Sequence, residues 1–282
     1  MTGSAFADSL LGSASADTLD GGAGDDLVQG AAGDDTLGGG LGNDTIEGGL
    51  GADRIDGGAG TDIADYSASA GAVTIALDGS TGSGGDAAGD VLSGIRNLVG
   101  SGNADTLSGD GNANLLNGGA GDDVLTGGVG ADTLQGGGGI DTADYTLSVQ
   151  AVTVNLGAGT AAGGDAASDV LAGIGNLTGS GQNDVLTGDG NGNLLNGGTG
   201  NDTLVGGLGA DTLQGGGGSD TADYGASATG VTVDLTAGTG LGGTAAGDVP
   251  SGIGNVQGSG QSDALTGDGN GNLLNGGTGN DT

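Results

Sequence analysis

From Gly21 the chain repeats every nine residues without a slip, as GGAGDDLVQ, GAAGDDTLG, GGLGNDTIE, GGLGADRID and GGAGTDIAD, ending at Asp65. A period this short constrains the fold more than any other feature, because a nonapeptide cannot bury a face alone and must stack on its neighbours as a solenoid. The same frame runs backward through GSASADTLD and GSAFADSLL to Gly3, giving a first block at 3–65. It returns at 100–144 and 179–223, and a last block occupies 258–282. The interruptions at 66–99, 145–178 and 224–257 are 34 residues long and nearly copies of one another, each opening on Tyr66, Tyr145 or Tyr224. The chain stops inside GGTGNDT without a closing strand, so it is expected to be a piece of a longer protein.

Each unit reads G-G-x-G-x-D-x-U-x, with U aliphatic. Glycines permit positive φ and close backbone approach, so the first six positions predict a tight turn and the last three a short strand. Within that strand the eighth side chain points opposite to its neighbours, which places Leu10, Leu19, Val28, Leu37, Ile46 and Ile55 in the interior. Two nonapeptides make one coil, so strands 18 residues apart stack and pair in parallel. The expected class is all-β, a parallel solenoid interrupted by 34-residue β segments. In the interruptions, alternation over 73–77, 152–156 and 231–235 predicts a strand, followed by a Gly/Ala-rich loop and a coil that re-enters the stack. Pro250 replaces Leu92 and Leu171 of the earlier copies and demotes its strand to an edge or turn. The small Ala64, Ala143 and Ala222 precede the tyrosines, whose rings are expected to fill the space left.

Charge then separates the functional classes. Against 36 acids the only bases are Arg54 and Arg96, both expected to be exposed, and the net charge is −34. A nucleic-acid or anionic-membrane surface needs clustered Lys and Arg, so the natural partners are cations. With no Cys and no His there is no disulfide, no thiolate or imidazole metal site and no histidine relay. Glu47 is the only glutamate, so a short carboxylate beside a turn is being selected rather than charge alone. No secretory signal opens the chain and no apolar run approaches a membrane span.

The sixth-position aspartate recurs above itself once per coil. With strands about 4.8 Å apart, Asp26, Asp44 and Asp62 form one ladder and Asp17, Asp35 and Asp53 the opposite one. Unscreened carboxylates at ~5 Å repel by roughly 3 kcal/mol at an effective dielectric of 20, so a counter-ion must sit between turns. Carboxylates plus carbonyls exposed by Gly-rich turns are the donor set of Ca²⁺ rather than Mg²⁺. The candidate carboxylate ligands are Asp8, Asp17, Asp26, Asp35, Asp44, Asp53, Asp62, Asp105, Asp123, Asp132, Asp141, Asp184, Asp202, Asp211, Asp220, Asp263 and Asp281. The candidate carbonyl turns carry Gly22, Gly24, Gly40, Gly42, Gly49, Gly51, Gly119, Gly121, Gly128, Gly130, Gly198, Gly200, Gly207 and Gly209. Facing pairs 18 residues apart give about ten Ca²⁺ ions, or about twelve if the mixed pairs Asn114–Asp132 and Asn193–Asp211 also bind.

Tandem units such as GGLGNDTIE at 39–47 and GGAGDDVLT at 118–126 make most of the chain resemble the repeat-in-toxin (RTX, haemolysin-type) calcium-binding repeats. That resemblance implies a right-handed parallel β-roll, with Ca²⁺ held between adjacent turns by the sixth-position Asp and turn carbonyls. It also implies an extracellular protein exported by a type I system. The pattern departs from the family at Asn114, Asn193 and Asn272, whose amides are weaker, neutral ligands. Asp110, Asn112 and Asn114 have EF-hand-like spacing, but Leu115 and Gly121 stand where that motif needs Gly and Glu.

One aliphatic side chain per nine residues cannot offset the ordering of nine backbones. The chain is therefore expected to be largely disordered without Ca²⁺ and to fold with it, at the ~10⁻⁴–10⁻³ M affinity of extracellular modules. Asp86, Asp90, Asp165, Asp169 and Asp248 read as solvated loop residues, and the tyrosines as structural. No catalytic constellation is present, and the expected role is a non-catalytic, monomeric segment of a secreted protein. The resemblance suggests as alternatives the appendage of a secreted protease, lipase or epimerase, or a repeat adhesin with a cell-surface or polysaccharide partner.

Overall fold

Three-residue strands centred on the eighth position recur along the computed structural model, which describes residues 1–282. Two compact units divide the chain, Met1–Asp141 and Thr142–Thr282. In the first, a column of parallel strands runs Ser9–Leu11, Leu27–Ala32, Thr45–Leu50 and Ile63–Asp65, then continues through Asn97–Val99, Leu115–Ala120 and Thr133–Gly138. Facing it, Thr18–Ala23, Thr36–Leu41, Arg54–Ala59 and Val91–Ser93 form a second column. Register is the expected 18 residues, as in Leu19↔Leu37 and Val28↔Ile46.

Every eighth side chain from Leu10 to Ile55 is buried, and Val28 and Ile46 are wholly inaccessible. Third-position residues such as Leu41 and Leu50 stay exposed. This is the period-two alternation of a strand with one covered face. The division into a six-residue turn and three-residue strand needs correction in the first block and at Leu115–Ala120 and Thr133–Gly138. There the strands run on through positions one to three of the next repeat, with pairs such as Gly22↔Gly40 and Ala23↔Leu41. Glycine permits this: a Cβ on Gly40 would collide with the carbonyl oxygen of Gly22 in the coil below.

The interruptions exchange one column for another. Val91–Ser93 pairs with Arg54–Ala59 and ends the second column, while Thr74–Ala76 opens a third, continued by Thr106–Ser108 and Val124–Thr126. The second unit repeats the exchange. Its long column runs Thr153–Asn155, Val185–Thr187, Thr203–Val205, Asp220–Asp223, Ile253–Gln257 and Leu273–Asn275. The column Ile174–Thr178, Leu194–Asn196, Thr212–Gln214 ends at Val249–Ser251, and Thr232–Asp234 opens a new one with Ala264–Thr266. Pro250 therefore sits in a terminal strand, as expected, paired with Leu213. The Gly/Ala-rich loops hold short 3₁₀ turns at Gly85–Ala87, Gly164–Ala166 and Gly243–Ala245. In the second unit they also hold antiparallel hairpins, Thr153–Asn155 with Thr160–Ala162 and Thr232–Asp234 with Thr239–Leu241. Tyr66, Tyr145 and Tyr224 are buried beside fully buried Ala64, Ala143 and Ala222, as their structural reading requires.

Candidate metal centre

Aspartate is selected over glutamate because its short side chain reaches the backbone of the neighbouring coil. The Asp26 N–H donates to Asp44 Oδ1, and the Asp44 N–H to Asp62 Oδ1, both at 2.8 Å. On the opposite side Asp17 donates to Asp35 at 2.7 Å and Asp35 to Asp53 at 2.8 Å. The same bond links Asp8 to Asp26, Asp105 to Asp123, Asp123 to Asp141, Asp184 to Asp202, Asp202 to Asp220 and Asp263 to Asp281. Asn114 and Asn193 donate in the same way to Asp132 and Asp211. Each carboxylate thus spends Oδ1 on a charge-assisted bond that pins the stacking register.

The second oxygen is a different matter. Oδ2 of Asp26, Asp35, Asp44, Asp53, Asp62, Asp123, Asp141, Asp202, Asp211 and Asp220 is buried and accepts no hydrogen bond. A buried unpaired carboxylate oxygen is costly enough to demand a partner. Burial, ahead of the neighbouring carboxylates, pushes Asp53, Asp123, Asp202 and Asp211 up to about 6, and raises Asp35, Asp44, Asp62 and Asp141 as well. The orphaned oxygen of Asp44 and the carbonyl oxygen of Gly57 converge on the space that a Cβ on Gly39 would fill. Asp26 Oδ2 with the Gly39 carbonyl, and Asp35 Oδ2 with the Gly48 carbonyl, repeat the arrangement at Gly21 and Gly30. No three acidic side chains gather at one point, so backbone carbonyls must complete the shell of any ion there. An all-oxygen set of carboxylates and carbonyls suits a hard divalent cation of calcium's size and flexible geometry.

Which carboxylates are orphaned depends on the second residue of the turn. Gly22, Gly40, Gly49, Gly119, Gly128, Gly198 and Gly207 have positive φ, as do the fourth-position Gly24, Gly42, Gly51, Gly121, Gly200 and Gly209. Gly130 is the exception among the glycines expected to line the turns. Even Ala31, the lone alanine at a second position, is held at φ 78°. Where Ser replaces this glycine the backbone turns its N–H inward, and Ser180 donates to Asp184 Oδ2 at 2.6 Å while its hydroxyl donates to Oδ1 at 2.9 Å. Ser4, Ser13, Ser101 and Ser259 close on Asp8, Asp17, Asp105 and Asp263 alike. At Asp8 and Asp17 these bonds hold the carboxyl below its usual range. Asp281, beside Gly277, is exposed.

The asparagine turns are also closed. Asn114 Oδ1 accepts from the Asp110 N–H at 2.9 Å, and its Nδ2 donates to the Arg96 carbonyl at 2.8 Å. Asn193 and Asn272 donate to the Gly175 and Gly254 carbonyls. The amide supplies its own donor where a carboxylate would need a cation. Asp110, Asn112 and Asn114 are tied to one another in this closed turn rather than arrayed around an ion.

Two expectations fail here. Asp90, Asp169 and Asp248 are buried, not solvated. Asp90 Oδ1 accepts from Asp53 N–H at 2.8 Å and Asp248 Oδ1 from Asp211 N–H at 3.0 Å, so each takes the rung that a sixth-position aspartate would occupy. The D-V-L of 90–92 carries the D-x-U of the repeat, a signal masked by the missing glycines before it. Asp86 and Asp165 are half-buried. Arg96 is also half-buried rather than exposed, and its charge acts on Asp62, whereas Arg54 is exposed as expected. Sequence reasoning also missed an outer ladder at position five, where Asp25 Oδ1 accepts from Asn43 N–H and Asn43 Oδ1 from Thr61 N–H.

A family model for the RTX calcium-binding nonapeptide repeat matches residues 2–37, 30–64, 97–125, 108–143, 171–204 and 196–227, more than half of the chain. The chain belongs to the RTX repeat family. Its all-β stack of parallel strands is the β-roll of such repeats, and RTX repeats bind Ca²⁺. No curated protein matches the chain. No helix is long and apolar enough to cross a membrane.

Proposed function

We propose that this RTX segment binds Ca²⁺ in the gaps between stacked turns and folds as it does so. The row of buried carboxylate oxygens without hydrogen-bond donors carries this reading. The strongest gaps are those entered from an orphaned carboxylate and closed by a second aspartate: Asp26–Asp44, Asp35–Asp53, Asp44–Asp62, Asp123–Asp141 and Asp202–Asp220. Gaps entered from the Ser-capped Asp8, Asp17, Asp105, Asp184 and Asp263 already satisfy that carboxylate and take Ca²⁺ more weakly. Turn carbonyls complete each shell, and the ion supplies the positive charge that lets successive carboxylates ionise at one spacing.

The segment is non-catalytic and works outside the cell, where Ca²⁺ is abundant, after export as an unfolded chain. Support comes from the family and from a thin core with one aliphatic side chain per repeat. Circular dichroism during a Ca²⁺ titration, with stoichiometry from calorimetry, tests the reading. Strand signal should rise with Ca²⁺ and vanish in chelator. A full strand signal in excess chelator would overturn it.

A further inference from the structure

Two of the tyrosine-headed interruptions place a buried aspartate on the ladder next to its last nonapeptide rung. In the first unit Asp90 is wholly buried, its Oδ1 holds the Asp53 N–H, and its Oδ2 accepts from the Tyr66 hydroxyl at 3.0 Å. Asp53 Oδ2 faces this rung with no donor, and both it and Asp90 Oδ2 approach the Cβ position of Gly48, at 2.5 and 3.3 Å. The loop before Asp90 lies on the turn below it as a further repeat would, with Gly89 against Ala52. The second unit repeats the arrangement. Asp211 Oδ2 is buried without a donor, the Tyr224 hydroxyl is directed at Asp248 as Tyr66 is at Asp90, and Gly247 lies against Ala210. An orphaned carboxylate oxygen sealed against a second buried carboxylate calls for a cation.

We infer that the gaps Asp53–Asp90 and Asp211–Asp248 are divalent-cation sites of the calcium class at the junction of repeat and interruption, in which the interruption supplies one carboxylate and the penultimate turn of the block the other. Gly49 and Gly51, and Gly207 and Gly209, would present their carbonyls from the turn below. The tyrosine seals the site against water and orients the interruption's carboxylate through its hydroxyl. This rests on the calcium reading of the ladder but adds sites to it, so each of these two interruptions is clamped to its block by metal rather than looped out from it.

The chain has no tryptophan and all three tyrosines lie at interruptions, so terbium luminescence sensitised through tyrosine reports on these gaps rather than on the rest of the ladder. The full chain loaded with Tb³⁺ should show sensitised emission that Ca²⁺ displaces. The double variant Asp90→Asn, Asp248→Asn keeps the Oδ1 acceptors and the tyrosines. It should lose most of that emission and two Ca²⁺ ions by calorimetry, while its strand signal in Ca²⁺ persists. Unchanged emission and stoichiometry in the variant would overturn the inference. So would a wild-type chain that binds Ca²⁺ and folds with it yet gives no tyrosine-sensitised emission, a readout needing no variant. Failure of the underlying reading looks different, since then the wild type takes up no Ca²⁺ at all.

Discussion

At the scale of single residues, the second position of each turn decides how its aspartate is satisfied. Glycine at positive φ leaves Oδ2 without a donor, whereas Ser aims its N–H into it. Ala31 takes the glycine conformation despite its Cβ, at φ 78°. Left-handed backbone costs an L-residue roughly 1–2 kcal/mol, partly offset by the greater chain entropy of glycine. Ala31→Gly should therefore stabilise the Ca²⁺-loaded chain by about 0.5–1 kcal/mol, read from its urea midpoint. Ser180→Gly should act the other way. It deletes the hydroxyl's bonds to Asp184 and frees the backbone to take the positive φ of Gly198, which turns the N–H away from Oδ2. The change should cost about 1–3 kcal/mol without metal, with the loss narrowing as Ca²⁺ is added, and an equal loss at all Ca²⁺ concentrations would contradict the role given to Ser180. The second-position rule was not legible in the sequence, because G-S and G-G look alike until backbone φ shows where the N–H points. The sixth and eighth positions were legible, since their roles depend only on period.

At the scale of the turn ladder, protons and metal compete for the same oxygens. Asp53, Asp123, Asp202 and Asp211 sit at about 6 in the folded metal-free chain against 3.8 for an unperturbed carboxyl. A raised native pKa means that the fold binds protons more tightly than the unfolded chain does. That contribution is complete below about pH 3.8 and lost as pH rises through about 6. In chelator, strand signal should thus be higher at pH 5 than at pH 8. In Ca²⁺ the dependence reverses, and apparent affinity should fall as pH drops through this window. A metal-free chain equally folded, or equally unfolded, at both pH values would count against the orphaned carboxylates as the source of instability. The Asn turns need neither proton nor ion. Asn193→Asp removes the donor to the Gly175 carbonyl, so it should weaken the metal-free fold and add a Ca²⁺ requirement by calorimetry. The rung at Asp90 escaped sequence reading because its turn is built by a 3₁₀ loop rather than by glycines at the expected spacing.

At the scale of the whole molecule, net charge and buried charge respond to different ions. The net charge is −34, and raising monovalent salt from 0.01 to 1 M shortens the Debye length from about 30 to 3 Å. Screening of that kind reaches exposed acids but not the sealed Oδ2 atoms. High NaCl without Ca²⁺ should accordingly reduce the radius of gyration in X-ray scattering and leave the strand signal low, while millimolar Ca²⁺ restores both. Strand formation in NaCl alone would show that bulk repulsion, not the ladder, keeps the chain open. The period made the stacking of blocks readable from sequence, but not the exchange of columns, which depends on where an inserted strand finds an edge.

That exchange has a mechanical consequence. In the first unit one column passes unbroken from Ser9–Leu11 to Thr133–Gly138, while its companion stops at Val91–Ser93 and a fresh one starts at Thr74–Ala76. A load that peels the companion apart strand by strand should therefore run out of paired strand at this seam, as a tear does at a stitched hem, whereas the continuous spine keeps paired strands on both sides of it.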